Sequence, residues 1–279
     1  MTPRPAPPDA TGRDSSVRSA EIAASLQAVS PALRTSKTRM MTSAALLVGA
    51  FLFSSPLAAA GKGKPVPAPC DGLITYMSTL PVQPLADAEK AGILFTWEEE
   101  KLARDVYVAM AAKWGQRVFT NIAAAEQTHM DDAAFLLERY ALPLPVPGAT
   151  PGFFANPRLA ALYVSLVEKG AVSLVEALTV GATIEDLDIA DVERLLAGAD
   201  NSDVRVLTQN LAKGSRNHLR SFVGLLEAAG ATYAPQFLPA AEYEEIVSSD
   251  PERRVIYDAD GNPVEGIADG PCGGAGPRK

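Results

Sequence analysis

From residue 87 to residue 229, apolar side chains recur every three or four positions, the spacing that lines up one face of an α-helix. The stripe is interrupted at Trp114-Gly115, across the Pro- and Gly-rich stretch 141–155, at Gly170, around 198–201 and at Gly230. Helices are therefore predicted over residues 87–113, 118–140, 157–170, 173–197 and 202–229. Cap chemistry supports two of the starts: Asn156 precedes a proline at the first helical position, and Asn201-Ser202 opens the last long segment. Beyond Gly230 the pattern is short and mixed. Val255-Ile256-Tyr257 and Val264 flank the turn-rich run Asp258-Ala-Asp-Gly-Asn262, which predicts a β-hairpin. A calcium loop is excluded there, because Pro263 stands where that loop requires glycine.

The loops after 113 and 197 are only about four residues long, so each joins antiparallel neighbours. The connection between the two hairpins runs about thirty residues and carries the short helix. Two tight helical hairpins and one long crossover are the connectivity of a ferritin-like four-helix bundle. The expected fold class is all-α, with a small irregular or hairpin tail at the C-terminus.

Polar residues stand on faces that should be apolar. In the second helix Ile122, Glu126, His129, Ala133 and Leu136 share one face, and Glu126-x-x-His129 places a carboxylate and an imidazole one turn apart. Two-metal carboxylate bundles draw such a pair from each of two helices. The last helix presents Leu211, Gly214, Ser215, His218, Phe222 and Leu225, so its histidine has serine, not glutamate, three positions before it. A substitute lies on the preceding helix, where Ile184, Glu185, Asp188, Val192 and Leu195 share a face. The first helix offers Phe95, Glu99, Leu102, Val106 and Ala109, with Glu98 or Glu100 as register alternatives to Glu99. The set Glu99, Glu126, His129, Glu185, Asp188 and His218 is the donor set that one or two ions of iron or manganese prefer. Plainer readings stand beside it. Thr96-x-x-Glu99 is a capping box if the first helix begins at Trp97, and this lapses if it begins at Asp87. Glu185 and Asp188 fit a solvated acidic face, and each histidine fits a satisfied core position. Arg104, Arg216 and Arg220 are open to pairing with carboxylates at the site's edge or on the surface, and Tyr107 to the core or the site.

Composition narrows the classes. Apolar residues make up 47% and the formal charge is −8, which excludes a disordered chain and disfavours a nucleic-acid partner. Arg34, Lys37 and Arg39, then the ten residues 44–53 with one glycine among apolar side chains, then Ala58-Ala59-Ala60, read as an export signal. Ten helical residues rise about 15 Å against a hydrocarbon core of about 30 Å, so no stable membrane span is expected. The expected organisation is an N-terminal extension and cleaved signal over 1–60, a Pro-rich linker over 61–84, a helical domain over 85–247 and a tail over 248–279. The protein is expected to be exported, periplasmic or extracellular. Residues 1–60 hold six of the Lys/Arg and three of the Asp/Glu, which leaves −11 on the remainder. Cys70 and Cys272 lie near the ends of that remainder; export permits a disulfide between them, and unpaired thiols stay equally open.

The segments EEEKLARDVY (98–107), NIAAAEQTHMD (121–131), IEDLDIADVE (184–193) and GSRNHLRSFV (214–223), followed by Tyr233-x-Pro235-Gln236, resemble the family called domain of unknown function 2202, within the ferritin-like superfamily. The resemblance covers about residues 85–247. It implies a ferritin-like bundle with a metal centre and, by the family's name, no activity. It places the metal-binding elements at Glu99 or Glu100, Glu126, His129, Glu185, Asp188 and His218. Ser215 departs from the general two-metal pattern, which puts the second ion in question.

Three functions follow from these observations. The first is an exported metal-dependent oxidoreductase acting on dioxygen or peroxide, with metal ions and small oxidants as its partners. The second is a metal-binding or storage module without turnover. The third is a structural bundle with a degenerate site.

Overall fold

The structure, a computed structural model, describes residues 72–267. The export signal expected within 1–60, and Cys70 and Cys272, lie outside the described residues. Seven helices are present among those described: α1 (Gly72–Thr79), α2 (Asp87–Trp114), α3 (Arg117–Arg139), α4 (Pro157–Gly170), α5 (Leu174–Gly198), α6 (Ser202–Ala228) and α7 (Ala240–Ser248). None is long and apolar enough to cross a membrane.

The helix ends follow local chemistry. Glu89 turns back to the Ala86 N–H at 2.8 Å and opens α2, so the first long helix does begin at Asp87 and Thr96 and Glu99 lie inside it. Gly115, at φ 64°, closes α2 in the left-handed region. Asn156 caps α4 ahead of Pro157, Ser173 caps α5, and the Asn201 side chain accepts from the Asp203 and Val204 N–H groups to cap α6.

α2 lies along α3 and α5 lies along α6, as the short loops require; the two hairpins join through α2–α5 and α3–α6 packing. The crossover helix α4 rests on α2 and α5. Leu102, Val106, Phe119, Leu187, Leu219 and Phe222 belong to one apolar core, and Ile93, Trp97, Met130, Leu136, Val192 and Leu211 belong to a second. On each long helix the break between cores falls where the stripe carries polar residues. Burial of each large side chain contributes roughly 1.5–3 kcal/mol, so the two cores offset a charged layer between them.

Three expectations are corrected. Residues 72–79, placed in a Pro-rich linker, form α1, which buries Leu73, Ile74 and Met77. The stretch after Gly230 contains α7, whose nine residues bury Tyr243 and Ile246 and are too few to show a helical period. The predicted β-hairpin is one antiparallel bridge, Tyr257 to Pro263, because Asp258 folds its carboxylate onto the Asp260 and Asn262 N–H groups and tightens the turn.

Candidate metal centre

The charged layer is built around Glu126. On α3 it lies one turn before His129, and both point toward α6. Glu126 Oε2 lies 2.7 Å from His129 Nδ1, and Glu126 Oε1 lies 2.9 Å from His218 Nδ1. Neither of these contacts has hydrogen-bond direction, and both Glu126 oxygens are buried without a hydrogen-bond partner, as is His218 Nδ1. One carboxylate thus divides its oxygens between two imidazoles. The rings lie 5.5 Å apart, 28° from parallel.

Each half is completed by one more carboxylate. On the His129 side Glu100 Oε2 stands 3.2 Å from His129 Nδ1, and on the His218 side Glu185 Oε2 stands 3.5 Å from His218 Nδ1. Two triads result, Glu100–Glu126–His129 and Glu126–Glu185–His218, each with three donor atoms within 4.8 Å of one another. The carboxylates are 99% buried and the two imidazoles are 12% exposed, so the histidines form the outer edge.

Supporting groups hold this arrangement. Tyr107, wholly buried, donates its hydroxyl to Glu185 Oε1 at 2.5 Å. Ser215 donates to Asp188 Oδ2 at 2.5 Å and leaves Asp188 Oδ1 buried without a partner. Gly214 is required sterically: a Cβ there would stand 2.4 Å from His129 Nε2.

Burial raises the Glu100 and Glu185 carboxyls to about 7, with Glu126 adding to the rise and the adjacent imidazoles opposing it. Asp188 is pushed well above the carboxylate range by burial and then by Glu100. Burial also acts to raise Glu126, but His218 and His129 outweigh it and hold that carboxyl well below its ordinary value. Burial lowers His218, and Glu126 and Glu185 overcome this to reach about 10; His129 rises in the same way. Metal-free, the layer is a proton-rich network of alternating charge.

Of the six predicted ligands, Glu126, His129, Glu185 and His218 converge. Glu99 does not: Glu100 holds the place on α2. Three adjacent glutamates cannot be ranked from an apolar stripe when Glu98, Glu99 and Glu100 are all buried. Glu98 accepts from the Ala155 and Asn156 N–H groups just ahead of α4, and Glu99 lies near Asp191 and Asp188. Asp188 lies outside both triads, beside Ser215. Burial of Glu185 and Asp188 excludes the solvated-face reading. Leu225 is 41% exposed and Leu226 fills its place on the inner face. Arg104 bonds Asp105, Gln127 and the Gly148 carbonyl, and Arg216 and Arg220 bond Glu252, away from the triads. The Tyr107 contact had only a helical-spacing signal in the sequence.

The chain is similar to the uncharacterized protein MJ0754 of Methanocaldococcus jannaschii, 52% identical over 181 residues that span 65% of this chain and 98% of the relative. It is also similar to the crystal structure of the hypothetical protein MJ0754 from Methanococcus jannaschii DSM 2661, with TM-score 0.62 and 52% identity over 62% of this chain and 99% of that one. Residues 89–250, from α2 through α7, match the family described as an uncharacterized protein domain (DUF2202), and the chain belongs to that family.

Proposed function

We propose that the protein is an exported, ferritin-like four-helix bundle in which Glu100, Glu126, His129, Glu185 and His218 would hold two iron or manganese ions, with Asp188 as a further carboxylate at the edge of the site, and that it acts as a metal-dependent oxidoreductase on dioxygen or peroxide. The observation that carries this reading is Glu126, whose two oxygens turn to two different imidazoles without hydrogen-bond direction. That is the form of a carboxylate placed to bridge two cations.

The residues present fit such a pair. Glu100 Oε1 and Asp188 Oδ1 are buried without hydrogen-bond partners, a costly arrangement that a cation would relieve, and the Glu126 oxygens have only the two imidazoles beside them. The donor set is oxygen-rich with one imidazole per ion, which suits iron and manganese. Asp188, held by Ser215, supplies the carboxylate missing three positions before His218. The hairpin-and-crossover connectivity agrees with the ferritin-like pattern, and the signal-like pattern of residues 34–60 supports export. When bound, such ions supply redox chemistry toward small oxidants. The chain's own groups orient that centre: Tyr107 fixes Glu185, Ser215 fixes Asp188, Gly214 leaves room for His129, and the flanking cores exclude water.

Elemental analysis after anaerobic loading with Fe(II) or Mn(II), run beside a Glu126→Ala, His129→Ala, His218→Ala triple variant, tests the reading. Two ions per chain, absent from the variant, are expected, followed by oxygen or peroxide consumption. One ion would make the centre mononuclear. Two ions without turnover would make the protein a metal-binding module, and no metal would leave a structural bundle.

A further inference from the structure

The two triads share Glu126 and differ in how the rest of each is held. Exposure does not separate them, since each imidazole is 12% exposed. Nor does the shared carboxylate, which meets His129 Nδ1 at 2.7 Å and His218 Nδ1 at 2.9 Å. The third member of each triad does. On the His218 side both oxygens of Glu185 are placed. Oε1 accepts from Tyr107 at 2.5 Å, and Oε2 stands 3.5 Å from His218 Nδ1 with no hydrogen bond between them. Tyr107 is itself fixed, wholly buried against the Phe119 and Phe222 rings.

The His129 side is the reverse. A hydrogen bond joins His129 Nδ1 and Glu100 Oε2 at 3.2 Å, and Glu100 Oε1 has no hydrogen-bond partner. Two of the three donors are tied to each other, and nothing among the described residues anchors the remaining Glu100 oxygen.

A cation binds best where its donors are already in place, because ordering them then costs nothing. Glu185 is aimed in advance by Tyr107. Glu100 must first leave His129 and then be ordered. Opening a hydrogen bond to a charged group sets a difference of at least about tenfold in affinity. The shared carboxylate widens it. Once one divalent ion sits at Glu126 Oε1, a second at Oε2 meets that charge across a single carboxylate.

We infer that the centre fills in order. The Glu126–Glu185–His218 half takes the first divalent ion and keeps it. The Glu100–Glu126–His129 half is the weaker position, at which a divalent ion comes and goes. This rests on the two-ion reading above and adds which ion is resident and which exchanges.

Crystals of the metal-free full chain, soaked anaerobically in a rising series of Mn(II), test the order by anomalous scattering. At limiting Mn(II), density is expected beside Glu185 and His218 alone. Density beside Glu100 and His129 should follow only at concentrations at least about tenfold higher. In solution, protein loaded with radioactive Mn(II) and chased with unlabelled Mn(II) should lose one ion quickly and the other slowly. Tyr107→Phe should weaken the first position about tenfold and narrow the difference, and Glu100→Gln should abolish only the second. Density first beside Glu100 and His129, density at both halves together, or two ions leaving at one rate would overturn the order and leave the two-ion centre standing. A single ion at saturating Mn(II) would remove the exchanging position, and no ion at either half would remove the centre itself.

Discussion

Asp186 and Asp188 sit two residues apart on α5, both buried, and their surroundings are opposite. Asp186 accepts from the Tyr233 hydroxyl at 2.7 Å and from the N–H groups of Gln236 at 2.6 Å, Phe237 at 3.2 Å and Leu238 at 2.9 Å. Asp188 accepts from Ser215 and keeps a bare oxygen. The same division runs along α2. Glu89 accepts from the Asp200 and Asn201 N–H groups ahead of α6 and Glu98 from that of Ala155 ahead of α4, while Glu100 faces an imidazole with one oxygen bare. A carboxylate that saturates backbone donors is a fastener for the chain. A bare oxygen alone does not mark a site, since Asp203 keeps one while pairing with Arg139 and Tyr140; beside the two imidazoles, an under-bonded carboxylate is the group that a cation would gather.

The sharpest way to break this division is Asp186→Ala. It leaves four donors unsatisfied and should cost about 3–5 kcal/mol, lowering Tm by about 10 °C in a circular-dichroism melt. Metal stoichiometry should not change. A melt within about 2 °C of wild type would mean that donor counts do not separate fasteners from site residues.

Asp188→Asn should do the reverse. The amide keeps an acceptor for Ser215 and removes a buried carboxyl, so the metal-free protein should melt within about 2 °C of wild type. Affinity for the second ion should fall about 100-fold in an anaerobic titration. Unchanged affinity would remove Asp188 from the centre.

The expectations from sequence fared according to how far each signal was local. Helix faces and caps are local, and the breaks at Gly115, Asn156 and Asn201 stand where the pattern puts them. Glu126 and His129 were legible because an Ile122–Ala133–Leu136 stripe leaves little doubt which way they point. Glu100 was not, because α2 is buried on several sides, by α3, α4 and α5, and each of three consecutive glutamates has its own inward direction. Tyr107 and Ser215 act across helices, at sequence separations of 78 and 27 residues from their partners, and no single-helix pattern reports such pairs.

A pH series sharpens the comparison without mutation. Glu100 and Glu185 have folded values raised from 4.5 to about 7, so their contribution to metal-free stability is present below 4.5 and lost toward 7. His218 is raised from 6.5 to about 10, and its contribution is lost over that higher window. Glu126 is lowered, so its contribution fades only in acid. Metal-free Tm should therefore fall by a few degrees from pH 5 to pH 9. Metal affinity should rise over the same range, since binding releases the protons that the network holds. Parallel slopes would mean that the protons and the metal do not compete for the same atoms.

The smallest effect is expected where a satisfied group touches an under-bonded one. Tyr107 is locked by packing against Phe119 and Phe222, at ring separations of 6.4 and 5.3 Å, and its hydroxyl reaches Glu185. Tyr107→Phe keeps that packing and removes only the donor. Metal-free stability should change by no more than about 1 kcal/mol, because a protonated Glu185 loses one neutral hydrogen bond. With metal present, Glu185 is freed to turn, and affinity at the Glu126–Glu185–His218 half should fall about tenfold while the Glu100–Glu126–His129 half is unaffected. A two-step titration in which one step moves and the other stays fixed is the expected trace. If both steps move together, the halves are coupled through Glu126 more strongly than the geometry of separate oxygens implies. If neither moves, Glu185 belongs with Asp186 among the fasteners.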